Sequence, residues 1–128
     1  MTVARQTLGR AAEELVARRL EAAGWWIVDR NVRPSEVRGE LDLIAVDGTA
    51  LVFVEVKARL LGSVAGHERP AAAVGPRKRT QVRRLAAAWL RDRGYDVPRH
   101  RELRFDVVGV RLDAAGRVAE YEHLRGAF

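Results

Sequence analysis

The stretch GELDLIAVDGTALVFVEVKAR, from Gly39 to Arg59, limits the fold more than any other part of the chain. Asp47-Gly48 is a pair favoured where both central residues of a hairpin turn need positive φ, so Gly39 to Val46 and Ala50 to Ala58 are predicted to form one β-hairpin. The second strand is apolar at Leu51, Val52, Phe53, Val54 and Val56, yet Glu55 and Lys57 interrupt it two residues apart. Residues two apart share a strand face, so Glu55 and Lys57 point the same way as Phe53, while Val52, Val54 and Val56 pack on the other side.

On the partner strand Glu40 and Asp42 also share a face, and a suitable register brings Asp42 against Glu55. Two adjacent carboxylates repel unless a cation lies between them. The chain has no cysteine and its three histidines are scattered, so an oxygen-only donor set for Mg²⁺ or Mn²⁺ is the metal chemistry left. An ammonium at Lys57 could then orient or deprotonate an attacking water and neutralise charge on a phosphoryl group. The competing reading of Glu55 and Lys57 is an ion pair on a half-exposed strand, of little energetic weight.

Upstream, Leu8, Ala12, Leu15, Val16, Leu20 and Ala23 recur at helical steps, predicting an amphipathic helix from Thr7 to Ala23 that ends at Gly24. On it Glu14 lies opposite the apolar stripe, whereas Glu13 borders it and can face the sheet. Trp25 to Asn31 reads as a strand, and Arg59 to Gly75 as a long irregular crossing. Pro76 suits the first turn of a second helix with Val82, Leu85, Ala86, Trp89 and Leu90 on its apolar face. Leu103 to Leu112 and Arg117 to Tyr121 are the last strands. The order is α-β-β-β-α-β-β, an α/β fold with a mixed sheet flanked by helices, and 128 residues suit one domain spanning 1–128.

The net charge is +6, from 21 arginines and 2 lysines against 17 acidic residues, which points to a polyanionic partner, nucleic acid before others. Arginine-rich coding bias accounts for such a charge equally well. Arg77, Lys78, Arg79, Arg83 and Arg84 are predicted to form an exposed basic band on the second helix, suited to phosphates. Trp89 and at least one of Trp25 and Trp26 are expected in the core, and Asp106 is expected to have a structural partner such as Arg104. No signal-like or membrane-spanning apolar run appears, so a cytoplasmic protein without a membrane partner is expected. No phosphate-binding glycine loop, dinucleotide fingerprint or nucleophile elbow is present, which disfavours ATP hydrolysis, dinucleotide chemistry and acyl transfer.

The segments GRAAEELVARRLEAAGWWIVDRNVR, GELDLIA, LVFVEVKAR and RFDVVGV, in this order, resemble the successive motifs of the YraN family (uncharacterised protein family 0102). The resemblance runs from about Gly9 to Phe128. It implies the restriction-endonuclease-like fold of the PD-(D/E)xK superfamily, with Glu13 as the helix Glu, Asp42 as the metal-bridging Asp, and Glu55 and Lys57 as the E-x-K pair. Two positions depart from the pattern: Ala12 stands where the family often has Gly, and no Pro directly precedes Asp42.

By that resemblance the chain is expected to be a Mg²⁺- or Mn²⁺-dependent endodeoxyribonuclease, with branched or damaged DNA as a plausible substrate. Asp42, Glu55, Glu13 and the carbonyl of Val56 would hold the metal, Lys57 would act on the water, and Arg59 would meet a phosphate. DNA is favoured over RNA, and a homodimer is open because junction-cleaving relatives are dimers. The alternatives are a catalytically inactive nucleic-acid-binding module and a protein-interaction adaptor.

Overall fold

The computed structural model describes residues 3–62 and 74–128, with side chains from Thr7 onward. Helix α1 (Val3–Ala22) precedes strands β1 (Trp26–Val32), β2 (Leu41–Asp47) and β3 (Ala50–Leu60); helix α2 (Pro76–Arg93) precedes β4 (Glu102–Leu112) and β5 (Val118–Leu124). The element order is the predicted one. Most of the expected crossing from Arg59 to Gly75, including His67, lies outside the described residues.

The five strands form one sheet in the order β1-β2-β3-β4-β5. All neighbours are antiparallel except β3 and β4, which run parallel along their full length from Ala50↔Glu102 to Leu60↔Leu112. Parallel neighbours need a long crossover, and the connection containing α2 supplies it.

Side-chain alternation divides the core between two faces. Val52 and Val54 of β3, with Leu43, Ala45, Val108 and Val110, pack against Val16, Ala17 and Leu20 of α1. Leu51 and Phe53, with Ile44, pack against Val82, Leu85, Ala86 and Trp89 of α2. Phe53 is fully buried, stacked on Phe105 and edge-on to Trp89; burying such a side chain stabilises by about 1.5–3 kcal/mol. The assignment of Phe53, Glu55 and Lys57 to one strand face therefore places all three on the α2 side.

The hairpin turn differs from the expectation. Asp47 still pairs with Ala50, so the central residues are Gly48 and Thr49, and of these only Gly48 has positive φ, at 59°. Glycine at the first central position alone is the type II′ pattern, whose twist also matches a hairpin. Strand β2 starts at Leu41 rather than Gly39, because Gly39 adopts φ 121° and turns towards α2. Strand β5 runs on to Leu124, which pairs with Val107. Trp25 and Trp89 are buried while Trp26 is 60% exposed, as the sequence suggests for the three tryptophans.

Asp106 has the structural partners expected of it. It is fully buried in β4, accepting from Arg104 Nε at 2.9 Å and from the Gly126 amide at 3.0 Å, with His123 Nε2 at 2.8 Å. Burial alone would raise this carboxyl, but the hydrogen bonds from His123, Arg104 and Gly126 outweigh it and hold the group below the usual range. His100, the other described histidine, has its ring nitrogen 2.8 Å from the Pro98 carbonyl.

Candidate metal centre

The antiparallel ladder between β2 and β3 ends at Leu43↔Val54. One position further, Asp42 and Glu55 would oppose each other, but Val56 N–H instead donates to Asp42 Oδ2 at 2.9 Å. A side chain thus takes the place of a backbone acceptor, and the two strands separate at an acidic residue. Burial holds Asp42 above the usual carboxylate range; the Val56 amide, the charge of Lys78 and a hydrogen bond with Glu13 oppose this, and Glu40 adds to it.

Glu13 reaches this point from α1. One oxygen each of Glu13, Glu40 and Asp42 lies within 4.8 Å of the others. Burial and the neighbouring Asp42 push the Glu13 carboxyl up to about 7, against the pull of Arg10. Arg10 Nη1 donates to Glu13 at 3.2 Å and to Glu40 at 3.0 Å, and also to Asn31. Arg33 pairs with the other oxygen of Glu40 at 3.4 Å. Glu14, on the far side of the helix, pairs instead with Arg18 and Arg30.

Glu55 is 4% exposed on the α2 face and forms an ion pair with Lys78, Nζ to Oε1 3.3 Å. Burial and the charge of Asp42 push its carboxyl up to about 7, while Lys78 and Lys57 draw it down. Lys78 lies on the stripe of Val82, Leu85 and Trp89, at steps of four, three and four residues, which is why it turns inward.

The structure therefore brings Glu13 and Asp42 together, sets Glu55 within electrostatic reach of Asp42, and places Lys57 within reach of Glu55. The sequence reading expects the Val56 carbonyl at a metal; the contact observed is made by its amide. Two participants were not singled out from the sequence. Glu40 shares Asp42's side-chain parity but lies outside the strand, and Arg10 is one helical turn before Glu13.

The basic band is not one band. Lys78 leaves it for Glu55, and the arginines separate into two rows flanking the buried stripe. Arg79 and Arg83 lie over the Phe128 ring at 5.8 and 5.5 Å, and Arg79 Nε donates to the Val74 carbonyl. Arg77 and Arg84 belong to the other row. Arg59 directs Nη1 to the Ala58 carbonyl at 3.1 Å.

Glu13 and Asp42, both held above the usual carboxylate range by burial, form with Glu40 beside them a donor set suited to a hard divalent cation, since a cation relieves both repulsion and desolvation. Glu13, Glu40 and Asp42 are the residues that could hold one, with Glu55 within electrostatic reach of Asp42.

The model of "Uncharacterised protein family UPF0102" matches residues 12–110, which include Glu13, Glu40, Asp42, Glu55, Lys57 and Lys78. A UPF0102 protein of Arthrobacter sp. (strain FB24) is 49% identical over 96% of this chain and 97% of its own length. One from Streptomyces griseus is 46% identical over 96% and 97%, and one from Frankia casuarinae 46% over 98% of each. No described helix is long and apolar enough to cross a membrane.

Proposed function

The chain belongs to the uncharacterised protein family UPF0102, and from that membership and the carboxylate cluster we propose that it is a metal-dependent endonuclease that hydrolyses DNA phosphodiester bonds. The observation that carries this reading is the placement of Asp42 at the point where the hairpin strands part. There it is fixed by the Val56 amide, with Glu13 and Glu40 beside it and Glu55 and Lys57 on the adjoining strand.

Asp42 and Glu13 would hold Mg²⁺ or Mn²⁺ from opposite elements, with Glu40 and Glu55 supporting. A divalent ion, when bound, supplies Lewis acidity towards a phosphoryl oxygen. The remaining work falls to the chain's own groups. Val56 N–H orients the Asp42 carboxylate. The Lys57 ammonium, held beside Glu55, is the group that can position an attacking water and offset negative charge gathering on the phosphoryl oxygens. Arg10 keeps Glu13 and Glu40 facing each other.

The Lys78–Glu55 pair favours a second reading, a nucleic-acid-binding module in which an ammonium serves in place of a metal. Labelled linear, flapped and four-way DNA incubated with Mg²⁺, Mn²⁺ or EDTA separates the two. The nuclease reading expects metal-dependent cleavage that Asp42→Asn and Lys57→Ala each abolish. Cleavage that survives either change refutes the assignment of the site, and binding without cleavage in any metal supports the module.

A further inference from the structure

Beside the carboxylate cluster, the segment between β1 and β2 and the outer flank of α2 enclose an open groove of about 460 Å³, lined in part by Glu36, Arg38, Gln81, Arg84 and Arg91. It continues into a second depression of about 440 Å³ that shares Gln81 and Arg84 and adds Arg77, Thr80 and Pro76 at the start of the helix. Arg77, Arg84 and Arg91 are spaced by seven residues, so they project in one row along the helix.

Among the described residues, four guanidinium groups therefore line these two adjoining depressions, against one carboxylate, that of Glu36. Arg38, Arg77, Arg84 and Arg91 are all exposed, and among the described residues none of them forms an ion pair. Other arginines of the surface are engaged: Arg10 and Arg33 with Glu40, Arg30 with Glu14, Arg104 with Asp47 and Asp106. The aligned forks of Arg77, Arg84 and Arg91, of which Arg91 also acts on the neighbouring Asp92 carboxylate, fit a ligand with regularly repeated anionic oxygens, which they can meet bidentately.

The channel is fixed relative to the carboxylates. Gln81 Nε2 donates to the Arg38 carbonyl, tying the loop to α2. Gly39 lies so close to the helix that a Cβ there would meet Gln81 Nε2 and Leu85 Cδ1 at 3.1 Å. Arg38 in the groove and Glu40 in the carboxylate cluster are two residues apart, at most about 7 Å of chain.

We propose that this groove, lined by Arg38, Arg84 and Arg91 and extended by Arg77, is the track that carries a nucleic-acid phosphodiester backbone into the carboxylate site. The Arg79 and Arg83 row, stacked over Phe128 on the opposite flank, is not part of it. The identity of the polyanion rests on the nuclease reading; the position of the track rests on the groove.

The test measures binding by fluorescence anisotropy in EDTA, with labelled single-stranded and duplex DNA of equal length over a range of salt. The variants are Arg38→Gln/Arg84→Gln/Arg91→Gln and, as the control, Arg79→Gln/Arg83→Gln, with circular dichroism to confirm folding. The groove triple is expected to lose at least about tenfold in affinity, and its log-affinity against log-salt slope should become shallower by about 2 to 3, as for three lost phosphate contacts.

The control should bind within about twofold of the unaltered chain. Should the triple misfold, Arg84→Gln alone should make the slope shallower by about 0.7 to 0.9. An unchanged slope in the groove variants, or an equal loss in the control, overturns the track. Failure of the unaltered protein to bind at low salt overturns it too. Groove-dependent binding with no cleavage in Mg²⁺ or Mn²⁺ overturns only the nuclease reading. Whichever of the single-stranded and duplex probes shows the larger groove-dependent loss identifies the form the track accepts.

Discussion

Lys78 Nζ of helix α2 lies 3.3 Å from Glu55 Oε1 of strand β3, and the chain's only other lysine, Lys57, also acts on Glu55. Among 21 arginines, both flexible point charges are gathered at the most buried carboxylate of the site. A compact ammonium can approach one oxygen and move away, whereas a guanidinium prefers a planar, two-pronged contact.

Lys78→Met should therefore lower stability in metal-free buffer, because Glu55 remains buried with one fewer cation. The Lys78 side chain is 40% exposed, so the expected loss is about 1–2 kcal/mol rather than the larger loss typical of a fully buried pair. The same variant should show a larger rise in melting temperature with Mn²⁺ than the unaltered chain, since the cation then answers a charge that Lys78 no longer covers. Differential scanning fluorimetry with and without Mn²⁺ reads both effects, and an equal Mn²⁺ shift in the two proteins would show that Lys78 does not act on metal affinity.

The carboxyls of Glu13 and Glu55, both pushed up to about 7, set a pH dependence whose sign can be worked out. Their unfolded values lie near 4.3, so between about pH 4.3 and 7 the folded chain binds more protons than the unfolded one. Stability should accordingly fall as pH rises through that window and level off above it. A cation needs the ionised forms, so Mn²⁺ stabilisation should be strong near pH 8 and fade towards pH 6. Melting temperatures across this range test both slopes. Glu13→Gln should flatten the metal-free curve and weaken the Mn²⁺ shift; a metal-free melting temperature that rises from about pH 5 to 7 contradicts the assignment.

Asp106 gives the opposite sign in a different window. Its carboxyl is depressed, so its contribution is complete above the unfolded value near 3.9 and disappears as pH falls through the lower folded value. Asp106→Ala removes a buried charge but leaves Arg104 its contact with Asp47 at 2.8 Å. The expected loss is about 3 kcal/mol, at the lower end for a broken buried pair. Urea unfolding near neutral pH measures it, and Mn²⁺ binding by the folded variant, followed by isothermal titration calorimetry, should be unchanged because Asp106 is not among the carboxylates of the cluster.

The hairpin, its polar interruption and the facing position of Glu13 were legible in the sequence because strand and helix periods assign side chains to faces directly. Arg38 was not, and Glu40, though read on the same face as Asp42, was not read as part of the site, since both lie in a segment whose path is set by the contact of Gly39 with α2 rather than by any repeat. Lys78 carried a readable signal that charge concealed: extending the Val82, Leu85 and Trp89 stripe one turn back reaches it. Counting it with neighbouring arginines treated as one surface what the fold divides into an inward stripe and two flanks. The turn at Gly48 was placed correctly and its class was not, because register, fixed by packing on both sheet faces, decides which two residues are central.

Gly39→Ala tests whether the groove and the carboxylate cluster are held together as one unit. The added Cβ would sit 3.1 Å from both Gln81 Nε2 and Leu85 Cδ1, at a φ of 121° that side chains other than hydrogen rarely adopt. Gln81 can swing aside, but Leu85 is fully buried, so the loop must move off the helix. A stability loss above about 1 kcal/mol is expected, larger than that of an ordinary surface change. Because Arg38 and Glu40 flank this residue, the folded variant should lose Mn²⁺ affinity and DNA affinity together, measured separately by calorimetry and by anisotropy in EDTA. Loss of either one alone would mean that the loop does not couple the two sites.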